Sequence, residues 1–188
     1  GDAVLYFLTK DLQSRGEWKP AVVVATEISN LGLDRAVSRL GGKVLRVPVG
    51  DRQVVVEMRE TGAPIGGEPS GHLILPGSNF IGDGQLAAAR VLGVMARTGK
   101  PLTELVKGYV PFPSFSRNVK VSRKTPVAEV PALAKAIQEG IKALGAEGRL
   151  IVRYSGTEPL LRILAEGPDK ALLEKVVGAV AAAAGGLV

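Results

Sequence analysis

Apolar residues recur three and four apart at the start of the chain, at Val4, Leu5, Leu8 and Leu12 of GDAVLYFLTKDLQSRG. That spacing predicts a helix with one buried face. The pattern then changes to an unbroken β-branched run, AVVVAT from Ala21 to Thr26, which suits a strand covered on both faces of a parallel sheet. Ser29 or Asn30 is placed to cap a helix over LGLDRAVSRLG, which Gly41 and Gly42 stop. KVLRVPVG reads as a second strand, and DRQVVVEMRETG as a helix ending at Gly62, although Val54 to Val56 would also suit a strand. IGGEPSGHLIL reads as a glycine-rich turn entering an apolar strand. IGDGQLAAARVLGVMARTG follows as a helix with Leu86, Val91, Leu92 and Met95 on one face. Strands alternating with helices over short connections predict an α/β layer structure with a parallel or mixed sheet.

The periodicity lapses at Gly108 to Ser116, GYVPFPSFS, where two prolines and an aromatic cluster mark a linker. Residues 1–107 are then one domain, 108–116 a hinge linker, and 117–188 a second domain. In the second, a strand RNVKV precedes a helix from Pro126 to Leu144 with Val130, Leu133, Ala134, Ile137 and Ile141 on its buried side. The strands RLIVR and LLRILAEG follow, then a last helix lined by Leu172, Leu173, Val176, Val177 and Val180. This is a small α+β unit of a size that can fold alone. The terminal AAAAGGLV reads as a fraying helix end.

Composition narrows the class. Of 188 residues, 46% are hydrophobic and 4% aromatic, enough for one sizeable core or two small ones. Charges interrupt every apolar stretch before the roughly 18 residues of a membrane span. Absence of cysteine excludes disulfides, thiol catalysis and thiolate metal sites, and points to the cytoplasm. A net charge of +6 is compatible with nucleic acid, a membrane surface or a phosphorylated small molecule as partner, and does not choose among them. The densest basic group, RNVKVSRK at Arg117 to Lys124, alternates with valines as a solvated strand face does and lacks the aromatics of a nucleic-acid strip. No basic leader precedes the first helix, so the chain reads as starting inside a domain.

Two loops carry chemistry. RYSGTEPLLR, Arg153 to Arg162, joins two strands by a tight connection. Hydroxyls of Ser155 and Thr157, a positive φ at Gly156 that turns amides inward, and the forked donors of Arg153 and Arg162 suit a tetrahedral dianion. Glu158 repels phosphate and is assigned to pair an arginine or hold the loop. An ordinary polar turn fits the same residues. In GGEPSGH, Glu68 and Ser70 are two residues apart and suit vicinal sugar hydroxyls, with Gly66, Gly67 and Gly71 allowing close backbone approach. His72, the only histidine, is open to proton transfer or to loop hydrogen bonding. Asp83 is assigned to a helix N-terminus rather than to a metal. Together the loops describe a phosphorylated-sugar site without an evident nucleophile and base.

With GGEPSGH, RYSGTEPLLR, ATEISNLGLDRAV, VGDR and IGDG in this order, the sequence resembles the C-terminal portion of the α-D-phosphohexomutase superfamily. SNLGL and SGTEPLLR look more like its glucosamine-phosphate branch than its phosphomannomutase or phosphoglucomutase branches. Pro69 stands where glutamine or methionine is usual, and Ile81 where threonine is. The resemblance implies a truncated third domain followed by a complete, TATA-binding-protein-like fourth. It implies an isomerase that interconverts glucosamine 6-phosphate and glucosamine 1-phosphate through a phosphoserine and a bisphosphate, with Mg2+ held outside this chain. Glu68, Ser70 and His72 would bind the sugar, and Arg153, Ser155, Gly156, Thr157 and Arg162 the phosphate that is not transferred. The partners implied are a phosphorylated hexosamine and the N-terminal domains of the same polypeptide, with no nucleic acid and no membrane. Apolar surface left by truncation would favour association with another copy. The alternatives are a phosphomannomutase or phosphoglucomutase fragment, and a non-catalytic phosphosugar-binding module.

Overall fold

A computed structural model describes residues 1–75 and 81–187. The chain divides between Pro111 and Phe112 into two compact units.

The first unit is built on β1 (Val22–Thr26), whose five residues are all buried. It pairs in parallel with β2 (Lys43–Val47) and with β3 (Gly66–Gly67), and β4 (Leu73–Ile74) runs antiparallel to β3, giving the order β2-β1-β3-β4. Side chains of β1 alternate between faces as strand geometry requires. Val23 and Ala25 join a core with Leu5 and Leu8 of α1 (Asp2–Ser14), Leu33 and Val37 of α2 (Leu31–Arg39), and Val94 of α4 (Gly84–Thr98). Val22 and Val24 meet Val54 and Met58 of α3 (Asp51–Thr61) on the other side. A one-turn α5 (Leu102–Leu105) completes the unit. Helices therefore cover both faces, which is why β1 reads as continuously apolar.

Local signals set the helix ends. Asn30, not Ser29, caps α2, its side chain accepting from Gly32 N at 2.8 Å. Asp83 caps α4 by accepting from Leu86 N at 2.9 Å. Gly62 stops α3 in the left-handed region at φ 70°. Two readings of the first unit need correction. Gly66 and Gly67 of the glycine-rich turn are a short strand, paired with Val24 and Ala25 on one side and with Ile74 and Leu73 on the other, and a Cβ on Gly66 would come within 2.6 Å of the Met58 sulfur. Leu92 is not on the buried side of α4: it is 63% exposed, and the helix packs through Ala87 and Val94.

In the second unit β5 (Ser114–Lys120), β7 (Leu160–Glu166) and β6 (Arg149–Tyr154) form an antiparallel sheet in the order β5-β7-β6. β5 and β6 both run against β7, so the chain from β5 through α6 (Pro131–Leu144) to β6 is a split βαβ crossover with β7 inserted. Leu161, Ile163 and Ala165 of β7 pack with Leu133 of α6 and with Leu173, Val176, Val177 and Val180 of α7 (Lys170–Ala183). No described helix is long and apolar enough to cross a membrane.

Here too the structure corrects expectations. The strand begins at Ser114, inside the stretch read as linker, since Ser114 to Ser116 pair with Glu166 to Leu164. The helix expected from Pro126 begins at Pro131, after a 3-10 turn over Val127–Glu129. Val130, preceding a proline, is held at φ −117° and ψ 86°, outside the helical region. Ile141 is 53% exposed, and Gly140 and Leu144 take the buried side instead. The tail does not fray. Ala184–Leu187 form a 3-10 turn in which Ala184 is 0% and Leu187 1% exposed, and Ser122 donates to Leu187 O from N at 2.7 Å and Oγ at 3.0 Å. Val188 lies outside the described residues.

Candidate functional site

The order of the first sheet creates a reversal point beside β1: the chain crosses to β2 on one side and returns to β3 on the other. Loops leaving the carboxyl ends of such strands diverge and open a crevice. Glu68 follows β3 at that end. Its N–H donates to His72 O at 2.9 Å, and Gly71 N donates back to Glu68 O at 3.0 Å, closing a tight hairpin. The glycines are needed: a Cβ on Gly67 would lie 2.5 Å from His72 O, and Gly71 has φ 98°. Gly1 N reaches Pro69 O at 2.8 Å.

Glu68 Oε1 accepts from Gly50 N at 3.1 Å, at the N-terminus of α3, where peptide dipoles favour a carboxylate. The Ser70 hydroxyl donates to Glu68 Oε2 at 3.5 Å. Glu68 and Ser70 are thus brought together, with Ser70 exposed. His72 is about half exposed, with Nε2 3.9 Å from Asp51 Oδ2 and its ring laid over Gly82, where a Cβ would sit 2.1 Å from Cδ2. Asp51 was not singled out by sequence reasoning. Its signal was the VGDR motif, which carries the residue to the same strand ends.

The second loop connects β6 to β7. Arg153 and Arg162 are direct cross-strand partners on one sheet face. Like charges in that position repel and need a counter-charge. Glu158 supplies part of it, accepting from Arg162 Nη2 at 2.5 Å, while Arg162 Nε is buried without an acceptor among the described residues. Ser155 is 3% exposed and uses its hydroxyl inside the loop, accepting from Glu158 N at 3.3 Å and lying 3.4 Å from Glu158 Oε2. Glu158 therefore both pairs an arginine and holds the loop. Gly156 does not take the expected positive φ, and a Cβ there would meet nothing within 4 Å. The turn is shaped by the Ser155 hydroxyl and by Ser155 N donating to Leu160 O at 2.8 Å instead. Gly156 and Thr157 are both exposed at its tip.

Two further residues complete this site, Lys124 from outside the motif and Tyr154 from within it. Lys124 Nζ donates to Ser155 O at 2.7 Å and to Gly156 O at 3.2 Å. Tyr154 Oη donates to Thr125 O at 2.6 Å, and burial pushes its phenol above the ordinary value of 10.0. Lys124 belongs to the basic run read as a solvated strand face; it lies beyond the end of β5, so strand alternation no longer sends it outward. Lys124, Arg153 and Arg162 thus gather at this loop, and cationic donors of this kind suit a small dianion. Among the described residues no group of three or more His, Asp or Glu side chains could hold a metal ion.

Both units match domains of known proteins. Residues 1–112 match the phosphoglucomutase/phosphomannomutase alpha/beta/alpha domain III, and residues 117–183 the phosphoglucomutase/phosphomannomutase C-terminal domain. Among curated relatives, the phosphoglucosamine mutase of Anaeromyxobacter dehalogenans is 54% identical over 169 residues, covering 90% of this chain and 37% of its own length. That of Koribacter versatilis is 47% identical over 184 residues, covering 97% of this chain and 40% of its own length. The chain thus spans about two fifths of these relatives. In fold it is similar to the N-acetylphosphoglucosamine mutase of Aspergillus fumigatus, solved with GlcNAc-6P and magnesium, at a TM-score of 0.80 and 19% identity over 97% of this chain and 46% of that one.

Proposed function

The chain belongs to the phosphoglucomutase/phosphomannomutase family, and we propose that it is the substrate-gripping C-terminal part of an enzyme that interconverts glucosamine 6-phosphate and glucosamine 1-phosphate. Relatives with that name are 54% and 47% identical over nearly the whole chain. The observation that carries the reading is the pair Arg153 and Arg162, facing each other across β6 and β7 beside a loop whose tip is exposed. Like charges so placed repel, and an anion beside them relieves that repulsion.

In this reading the second unit holds the phosphate that is not being transferred. Arg153 and Arg162 provide guanidinium donors, Gly156 and Thr157 backbone amides, and Thr157 and Ser155 hydroxyls, that of Ser155 turning from Glu158 to the ligand. Binding energy at this far phosphate orients the sugar for in-line transfer. In the first unit Glu68 accepts from sugar hydroxyls and Ser70 donates to or accepts from them. His72 sits close to the reacting sugar. The phosphoserine and the magnesium ligands belong to other parts of the polypeptide, so this chain binds without turning over, in the cytoplasm, where the precursors of cell-wall amino sugars are made.

The test is an amide NMR titration of the 188-residue chain with glucosamine 6-phosphate, inorganic phosphate and glucosamine. Phosphate is expected to shift Ser155 to Glu158, and the phosphosugar to shift Glu68 to His72 as well. Arg153→Ala should lose the first set, and in an intact enzyme raise KM and lower kcat. Unmoved resonances at millimolar ligand, or an Arg153→Ala chain that binds as the parent does, would overturn the reading.

A further inference from the structure

One side chain holds two consecutive carbonyls of the loop between β6 and β7. Lys124 Nζ is 2.7 Å from Ser155 O and 3.2 Å from Gly156 O. In a planar trans peptide the C=O and the N–H of the next residue point in opposite directions. Drawing these two carbonyls toward Lys124 therefore turns the N–H groups of Gly156 and Thr157 away from it, to the other side of the loop. The neighbouring amides are committed: Ser155 N donates to Leu160 O at 2.8 Å and Glu158 N to Ser155 Oγ at 3.3 Å. Among the described residues, the amides of Gly156 and Thr157 have no acceptor. Successive amides aimed one way form an anion-binding concavity.

We propose that Lys124 is a positioning residue for phosphate recognition, setting the two peptide planes so that the Gly156 and Thr157 amides face the anion before it arrives. This rests on the phosphate reading of the loop. The lysine acts from a fixed base. Ser122 N and Oγ donate to Leu187 O, and Thr125 O accepts from Tyr154 Oη at 2.6 Å, so the residues on both sides of Lys124 are tied down. Its flexible stem then loses less freedom on binding the loop than an unanchored lysine would. A charged donor on a peptide carbonyl also polarises the amide, making its N–H the better donor. An ammonium has three rotatable donors on one atom and reaches both carbonyls; a planar guanidinium directs its donors along fixed lines and replaces it only in part.

The experiment follows the 188-residue chain and its Lys124→Ala, Lys124→Met and Lys124→Arg variants by NMR, with inorganic phosphate as the probe. Without phosphate, the alanine and methionine variants should shift the carbonyl carbons of Ser155 and Gly156 and the amides of Gly156 and Thr157, with the resonances of α7 unchanged. Phosphate should bind about tenfold more weakly, and Lys124→Arg should recover part of the loss. The deficit should persist in about 1 M salt, where charges are screened beyond about 3 Å. A deficit that vanishes in salt would overturn the proposal, leaving Lys124 as a charge alone. So would variants with the parent's carbonyl shifts and affinity. If the parent chain itself fails to bind phosphate, the reading of the loop falls and the role of Lys124 with it; if the parent binds and the variants bind equally, only the role of Lys124 falls.

Discussion

Tyr154 shows how much one side chain decides around the phosphate loop. It ends β6, points its apolar ring into the second core, and fixes the Lys124 segment through the 2.6 Å bond from its hydroxyl to Thr125 O. Burial raises its pKa above 10.0, so the neutral form is favoured in the folded state. Its contribution to stability is complete below the unfolded pKa and disappears as the pH rises through the higher folded one. Hydrogen exchange across β6 and β7 should therefore accelerate above about pH 10 beyond the intrinsic trend. Tyr154→Phe should flatten that extra rise and cost about 1 kcal/mol at neutral pH, the usual worth of one such bond. An unchanged profile would show that the hydroxyl bond is not made in solution.

The loop after β1 is an element held by one arginine of the neighbouring strand. Arg46 of β2 donates from Nη1 to Thr26 O at 3.1 Å, Glu27 O at 3.3 Å and Ser29 O at 2.8 Å, and from Nη2 to Asn30 O at 3.4 Å, while also pairing with Asp34. Asp2 adds a tie from α1, accepting from Asn30 N at 2.8 Å. Carbonyls at the end of a strand that do not continue a ladder need partners, and here one guanidinium serves four of them, those of Thr26 and Asn30 also accepting from Ser29 N and Leu33 N. Arg46→Ala removes these four bonds and the ion pair with Asp34, so a loss of about 2 to 3 kcal/mol is expected. Urea unfolding followed by Trp18 reports it, since that ring is 5% exposed and bonded through Nε1 to Val22 O in the same unit. Stability within about 0.5 kcal/mol of the parent would mean water replaces the guanidinium without cost.

For the molecule as a whole, the division at Pro111 and Phe112 gives each unit its own core and its own loop chemistry. The proposed ligand of the second unit should therefore stabilise that unit by mass action. At about 100 times its Kd, inorganic phosphate adds about 2.7 kcal/mol to the opening free energy of the state that binds it. The readout is slower hydrogen exchange in β6, β7 and α7, and exchange rates indifferent to phosphate there would contradict the binding assignment. The chain spans 37% and 40% of the length of these curated relatives.

Periodicity located the long elements, though it left α3 open to a strand and misplaced the starts of β5 and α6, because a strand covered on both faces and a helix with one apolar stripe each leave a pattern that depends only on nearest burial. Asp83 at the start of α4 and the stop at Gly62 were legible too, and the cap of α2 was narrowed to Ser29 or Asn30, since such signals are local: the cap bonds run only two or three positions along the chain. The loops RYSGTEPLLR and GGEPSGH stood out by composition, and Glu158 found the arginine expected of it. What tertiary structure decided was everything set by residues distant in sequence. The tail is buried because Ser122 and the second core receive it, and Ile141 and Leu92 are exposed because the neighbouring elements cover other sides of their helices. Lys124 could not be told from a solvated lysine by sequence, for its partners lie 31 and 32 residues on and meet it only when β6 and β7 bring the loop back beside the end of β5.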